Sequence, residues 1–140
     1  NRQMLRTRGR HGMHAGHGGG GRRRLRHVAA RQIRRHRHTP QRAAAGDKFV
    51  DKILTPREIK YCTNRKAYKY PEMAARFAAK EAYSKALGTG IAGIKWQEIE
   101  VVNNGQGQPQ IAVKGKIKKQ VFVSLSHSLN YAVATVVIEQ

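Results

Sequence analysis

The segment 76–91 carries the residue types best suited to chemistry on a phosphate group. Glu81 and Lys85 are four residues apart, and Gly88-Thr89-Gly90 follows them. A carboxylate suits Mg²⁺, which binds one or two carboxylates together with substrate phosphates, and an ammonium group suits a phosphate oxygen. Glycines allow the backbone to approach a ligand closely. On spacing alone, the same residues also fit an ordinary i,i+4 pair on a solvated helix face, worth about 0.2–0.5 kcal/mol.

A long helix is expected to position this pair. Pro71 opens a run rich in Ala, Met, Lys and Glu, which are good helix formers, and the run ends at Leu87 before Gly88. The spacing of its apolar residues predicts a buried stripe made of Met73, Ala74, Phe77, Ala78 and Leu87. This helix would present Glu81 and Lys85 on one face, with the glycines at its end.

Shorter elements are predicted on both sides of the long helix. Residues 47–54 have a helical apolar face, and Thr55-Pro56-Arg57-Glu58 is a capping box that begins a second helix reaching about Cys62. A polar connection is expected over 63–70. Strands are predicted over 95–102, 109–113, 121–125 and 131–138, the last of them apolar enough to be central. Helices followed by antiparallel hairpins indicate an α+β domain.

The order of residues at 76–91, Arg-Phe-Ala-Ala-Lys-Glu-Ala-x-x-Lys-Ala-x-Gly-Thr-Gly-Ile, resembles the signature of the holo-[acyl-carrier-protein] synthase family of the 4′-phosphopantetheinyl transferase superfamily. The segments 49–58, 99–109 and 123–139 are similar to the flanking segments of that family in the same order. The resemblance therefore runs from residue 46 to the end of the sequence.

This resemblance implies a fold and an activity. The fold would be a phosphopantetheinyl-transferase-like domain with an antiparallel sheet packed on a long helix. The activity would be the Mg²⁺-dependent transfer of 4′-phosphopantetheine from coenzyme A to a serine of apo acyl carrier protein, with adenosine 3′,5′-bisphosphate as the leaving group. The process would be fatty acid biosynthesis, and the family is typically a homotrimer with active sites between subunits. The cytoplasm is expected as the location because the first residues lack the apolar core of a signal peptide.

The resemblance also implies roles for individual residues. Glu81 would be catalytic and one of two Mg²⁺ carboxylates, and Lys85 would neutralise phosphate charge and help the carrier serine lose its proton. The residues expected to line the coenzyme pocket are Gly88, Thr89 and Ile91. Those expected to contact the nucleotide, some of them across a subunit boundary, are Arg76, Pro109 and His127. Taken alone, His127 also fits a structural hydrogen-bonding role after a strand.

Residues 1–45 depart from the family. They contain 13 Arg and no Lys, Asp or Glu, whereas 46–140 contain all 8 acidic residues of a chain with net charge +20. We predict disorder over 1–45 and a folded domain over 46–140. The family opens with a strand carrying Gly-x-Asp-Ile, whose Asp is the second Mg²⁺ ligand, so this N-terminal strand is expected to be missing or replaced. A shifted reading frame is one hypothesis for the unusual composition, and a genuine basic segment is the other.

Other features of the sequence bear on different classes of function. The basic segment allows an alternative, a nucleic-acid-binding arm on an inactive transferase-like core, although 46–140 shows no zinc-finger or RNA-recognition pattern. His11, His14 and His17 are a loosely spaced candidate for metal capture. No apolar run approaches the ~20 residues of a membrane span. The single cysteine, Cys62, cannot form an internal disulfide and is expected to be an inert thiol.

Overall fold

The computed structural model describes residues 24–33, 48–64, 67–90, 92–128 and 130–140. Its helices are α1 (Lys48–Ile53), α2 (Pro56–Tyr61) and α3 (Tyr70–Ala86), with a 3₁₀ helix at Trp96–Glu98. Its strands are β1 (Leu25–Ile33), β2 (Thr63–Asn64), β3 (Ala67–Tyr68), β4 (Ile99–Asn103), β5 (Pro109–Val113), β6 (Lys116–Ile117), β7 (Val121–His127) and β8 (Tyr131–Glu139). The predicted α3 and the predicted strand at 109–113 are confirmed to within one residue.

The start of α2 confirms the predicted capping box. The Thr55 hydroxyl accepts a hydrogen bond from the Glu58 amide at 3.2 Å, and the Glu58 carboxylate accepts one from the Thr55 amide at 2.8 Å. Two amides that the helix cannot satisfy internally are thereby paired. The C-terminal end of α3 also matches the sequence prediction. Gly88, two residues after the end of this helix, has φ +80°, a left-handed conformation that favours glycine and ends the helix.

Two three-stranded antiparallel sheets make up most of the rest, in the orders β1-β8-β7 and β4-β5-β6, together with the short hairpin β2-β3. Helix α3 packs against β8, β1 and β7. The buried positions of β8 alternate, and they meet a row of alanines on α3 in one apolar cluster. Because alanine side chains are small, helix and sheet can approach closely. This arrangement confirms the α+β architecture, with an antiparallel sheet packed on the long helix.

The prediction of disorder over 1–45 is wrong for residues 25–33. These residues form β1, which pairs with β8 along its whole length, from Leu25 opposite Glu139 to Ile33 opposite Tyr131. Backbone hydrogen bonding to a central strand is available to almost any sequence, and Val28 adds an apolar contact with the core. The expected N-terminal strand is thus replaced, by a strand that contains no acidic residue. The rest of 1–45, including His11, His14 and His17, lies outside the described residues, and the boundary at 46 stays a prediction.

Three smaller predictions are also corrected. The strand expected over 95–102 begins only at Ile99, because the Glu98 carboxylate accepts a hydrogen bond from the Lys95 amide at 2.9 Å and stabilises a 3₁₀ turn. The polar connection over 63–70 contains the β2-β3 hairpin. The buried stripe of α3 is wider than predicted, because the helix is covered on more than one side. Two long charged side chains, Arg76 and Lys80, are buried in it.

Candidate active site

A buried ion pair fixes α3 immediately before Glu81. The Lys80 ammonium is fully buried and donates to Oε2 of Glu58 at 2.6 Å, to the Ile53 carbonyl at 2.6 Å and to the Trp96 carbonyl at 3.2 Å. Oε1 of Glu58 accepts from the Val101 amide at 2.7 Å. Burial lowers the pKa of Lys80, and the charge of Glu58 opposes that shift. The pair joins α1, α2, β4 and the 3₁₀ helix to α3.

Glu81 and Lys85 lie on the last two turns of α3 and are both half-buried. Residues four apart on a helix are neighbours on one face, so the carboxylate and the ammonium group share a surface. Between them, the Ser84 hydroxyl donates to the Glu81 carbonyl at 2.9 Å. The structure thus gives a negative and a positive group on a helix whose position is set by the Lys80–Glu58 pair.

The glycine loop begins one residue after α3. Gly88 and Thr89 are exposed, Gly90 is half-buried, and both glycines have positive φ, +80° and +64°. The Gly88 amide donates to the Lys85 carbonyl at 3.0 Å, so the loop is anchored to the last turn of the helix. Glu81, Lys85, Gly88 and Thr89 therefore lie at one end of α3. Ile91, the remaining residue predicted for the coenzyme pocket, lies outside the described residues.

Arg76 lies toward the other end of the helix. Ten residues separate it from Ala86, which is about 15 Å along the axis. Its guanidinium is 4% exposed, lies 4.0 Å above the Tyr61 ring and donates from Nη2 to Oδ1 of Asn103 at 3.2 Å. Its Nε is buried without a hydrogen-bond partner. Asn103 is paired with Pro109 across β4 and β5, so Arg76 and Pro109 belong to one neighbourhood.

His127 also lies away from the glycine loop. His127 is exposed and is the last residue of β7. Val121, at the opposite end of the same strand, pairs with Ile138 of β8. Arg26, which is paired with Ile138 on the other side of β8, reaches the end of α3. Seven strand residues span about 20 Å, so His127 lies near the far end of the sheet. Within one chain, the predicted site residues therefore form two groups, the helix-end group (Glu81, Lys85, Gly88, Thr89) and the distal group (Arg76, Pro109, His127).

The metal-binding capacity of the described part of the chain rests on single carboxylates. It contains no cluster of three or more His, Cys, Asp or Glu side chains that could hold a metal ion. β1 supplies no acid. A single carboxylate such as Glu81 could hold Mg²⁺, because this ion usually keeps several waters and takes further oxygens from substrate phosphates.

Sequence reasoning missed the partnership of Lys80 with Glu58. The capping box at Thr55 gives Glu58 a sufficient local role, and the sequence marks Lys80 only as a member of the 76–91 signature. A signal was present, because Lys80 shares a helix face with Met73, Phe77 and Leu87, which the sequence predicts to be buried. Cys62, which is predicted to be an inert thiol, has a fully buried side chain, and burial raises the pKa of the thiol to about 11.

Comparison with known proteins places this geometry in a family. A family model described as the 4′-phosphopantetheinyl transferase superfamily matches residues 30–136. The chain belongs to this superfamily. The match to the superfamily begins inside β1, includes α3, the glycine loop and the β4-β5 hairpin, and ends inside β8. It confirms the resemblance drawn from the 76–91 signature.

Relatives in the superfamily agree with this assignment. The chain is 47% identical over 96 residues to a protein of Chloroherpeton thalassium, covering 65% of this chain and 78% of the relative. It is 48% identical over 102 residues to one of Ruminiclostridium cellulolyticum, covering 66% and 76%. Both are named holo-[acyl-carrier-protein] synthase. The crystal structure of a holo-(acyl-carrier-protein) synthase from Bacillus anthracis in complex with CoA (3′,5′-ADP) matches with a TM-score of 0.56 and 36% identity, covering 80% of this chain and 95% of that one.

Proposed function

We propose that this chain transfers the 4′-phosphopantetheine group from coenzyme A to a serine of apo acyl carrier protein. The observation that carries the proposal is the helix-end group: a carboxylate, an ammonium group and a glycine loop in succession on α3. Membership of the superfamily, and the names of the relatives, support the same reaction. The complex of the Bacillus anthracis relative supports coenzyme A as the donor.

The chemistry proposed for this site is mainly positioning and neutralisation of charge. Glu81 would hold Mg²⁺ against the coenzyme pyrophosphate, where the ion, when bound, supplies positive charge to the phosphate oxygens. Lys85 neutralises charge on the phosphate that the carrier serine attacks, and its proximity favours loss of the serine proton. Gly88 and Thr89 allow the backbone to approach the coenzyme. Adenosine 3′,5′-bisphosphate is the leaving group.

We further propose that the chain acts as a homotrimer, and that the distal group of one subunit completes the site of its neighbour. Such an arrangement would reconcile the predicted nucleotide contacts of Arg76, Pro109 and His127 with their separation from Glu81 inside one chain. An apolar surface for the contact is available on the face of the β1-β8-β7 sheet that points away from α3. Phe122, Tyr131 and Val133 are 55%, 48% and 37% exposed there. Exposed apolar patches of this kind mark interaction surfaces.

The cellular setting follows the family in this proposal. The acyl carrier protein of fatty acid biosynthesis is the proposed acceptor, and the cytoplasm is the proposed location. No helix in the described part of the chain has the length and apolarity that a membrane crossing requires.

The intact mass of apo acyl carrier protein after incubation with this chain, coenzyme A and Mg²⁺ tests the reaction. We expect a gain of one phosphopantetheine. Glu81→Gln should slow this gain by about 10²-fold or more, the scale for loss of one charge-stabilising group. Glu98→Gln is the matched control, because it removes a carboxylate that only caps a turn.

Two results would contradict the proposal. If the unmodified chain produces no mass gain at any Mg²⁺ concentration, the proposed activity is wrong. If the gain occurs and Glu81→Gln matches Glu98→Gln, the activity stands but the site is misplaced.

A further inference from the structure

Arg26 on β1 lies against the C-terminal end of α3. Its Nη1 donates to the Leu87 carbonyl at 2.9 Å and to the Ala86 carbonyl at 3.3 Å. A Cβ atom added at Gly88 would collide with the same nitrogen. The guanidinium therefore fills the space beside the first residue of the glycine loop, 62 positions along the chain from its own backbone.

The position of Arg26 is fixed by the sheet. Arg26 pairs with Ile138 in the β1-β8 ladder, and Val28, two residues further along, packs into the core on the same side of the strand. Alternation along a strand places residues i and i+2 on one face. Arg26 is thus directed at α3 by the register of β1, as a side chain on a paired strand.

Without a cation, the C-terminal end of α3 would be electrostatically unfavourable for a coenzyme phosphate. The last carbonyls of a helix carry a partial negative charge, equivalent to about −0.5 of an electron charge. The glycine loop begins at this end of α3, so a phosphate bound by it would lie near like charge. The Arg26 guanidinium donates to these carbonyls through Nη1 and offsets that charge, and it has further N–H donors beyond Nη1.

We propose that Arg26 is a positioning residue of the coenzyme A site. It holds the Leu87 end of α3 and the Gly88-Thr89-Gly90 loop in one conformation, and it compensates the negative helix end so that the loop accepts phosphate. This inference rests on the proposed function. It assigns a role to β1 other than the supply of a metal-binding carboxylate, which this strand lacks.

The test uses the full chain and three variants. Arg26→Leu removes the contact and the charge, Arg26→Lys keeps the charge, and Arg24→Leu is the matched control. Arg24 is an exposed arginine two residues earlier, and its backbone pairs with Gln140. Thermal unfolding first establishes that each variant is folded.

Two readouts separate the local contact from its effect on the coenzyme. Without ligand, amide hydrogen exchange should be faster in Arg26→Leu at Leu87 and Gly88, whose amides are bonded to the Tyr83 and Lys85 carbonyls. In calorimetry, the Kd for coenzyme A should rise about two- to fivefold, the scale for an exposed charge at a helix end. The kcat at saturating coenzyme should change less than twofold. Arg26→Lys should recover most of the affinity, and Arg24→Leu should behave as the unmodified chain.

The outcomes that overturn the inference differ from those that overturn the proposed function. If the unmodified chain binds coenzyme A and Arg26→Leu binds it equally well, the inference is wrong and the function stands. If Arg26→Leu and Arg24→Leu weaken binding equally, the effect is one of net charge, and the positioning role is wrong. If the unmodified chain does not bind coenzyme A, the proposed function fails and the role of Arg26 fails with it.

Discussion

Replacement of Lys80 by methionine should destabilise the chain far more than the loss of a surface charge. Methionine matches the length of the lysine stem and keeps its packing, but it removes the ammonium group that Glu58, Ile53 and Trp96 share. The Glu58 carboxylate is 1% exposed, so water cannot take the place of the lost partner. The change tests whether this pair determines the position of the helix that carries Glu81.

The expected magnitude follows from burial. Removal of one partner from a buried pair typically costs about 3–5 kcal/mol, because the other charge is left uncompensated. The Ile53 and Trp96 carbonyls also lose the hydrogen bond that each accepts from the Lys80 ammonium. We therefore expect a loss of about 4 kcal/mol, a large part of the roughly 5–15 kcal/mol by which small domains are stable. The Lys80→Met/Glu58→Gln double variant should recover part of the loss, since no uncompensated charge remains.

Urea unfolding followed by fluorescence measures this free energy. Trp96 is the single tryptophan, and its ring lies 5.6 Å from that of Phe77, so its emission reports on the region around the pair. Arg57→Gln is the control, because Arg57 is 79% exposed in its ion pair with Glu100 and such pairs contribute at most about 1 kcal/mol. If Lys80→Met and Arg57→Gln lower the free energy of unfolding equally, the buried pair does not have the structural role described here.

Two further predictions concern the thiol and the outer face of the sheet. Because burial raises the pKa of Cys62 from 9.0 to about 11, its contribution to stability is complete below pH 9 and is lost as the pH rises toward 11. Between pH 8.5 and 10.5, the free energy of unfolding measured with urea should therefore fall by about 2 kcal/mol more for the unmodified chain than for Cys62→Ala. Parallel pH profiles of the two proteins would contradict this prediction. Phe122→Lys places a charge on the proposed subunit contact, so it should convert the trimer into smaller species in sedimentation experiments. Ile117→Lys is the control, because Ile117 is comparably exposed but lies on β6, and it should leave the trimer intact. Equal masses for both variants would place the interface elsewhere.

Local signals made the helices and most strands predictable. The capping box at Thr55 and Glu58, the proline in the first turn of α3 and the glycine after its end are interactions between residues close in sequence. The alternation of β8 also survives in its burial pattern. Such features are visible without knowledge of the fold, and the 76–91 signature added the family.

The buried charges were not predictable in the same way. Nothing in the neighbourhood of Lys80 in the sequence indicates that its partner is Glu58, 22 positions earlier, or that backbone carbonyls at Ile53 and Trp96 complete its hydrogen bonding. Lysine is rarely buried unless it is paired, so its partner has to be known before burial of Lys80 can be expected. Only the meeting of α1, α2 and the 3₁₀ helix at α3 creates the site.

The formation of β1 shows how a strand can be imposed by its partner. β8 is apolar and central, and its second edge requires backbone donors and acceptors whatever the side chains of the neighbouring strand are. The strand Leu25–Ile33, which carries two arginines and a histidine and no acidic residue, meets that requirement, and Val28 packs against the core. The fold therefore tolerates a first strand whose sequence differs from that of the family. Metal binding is different, because backbone pairing cannot supply the carboxylate that the resemblance implies for this strand. If Glu81 holds Mg²⁺ as proposed, β1 adds no carboxylate to it. Transfer activity titrated with Mg²⁺ should then saturate at a higher concentration of the ion than it does for a relative whose first strand carries an aspartate.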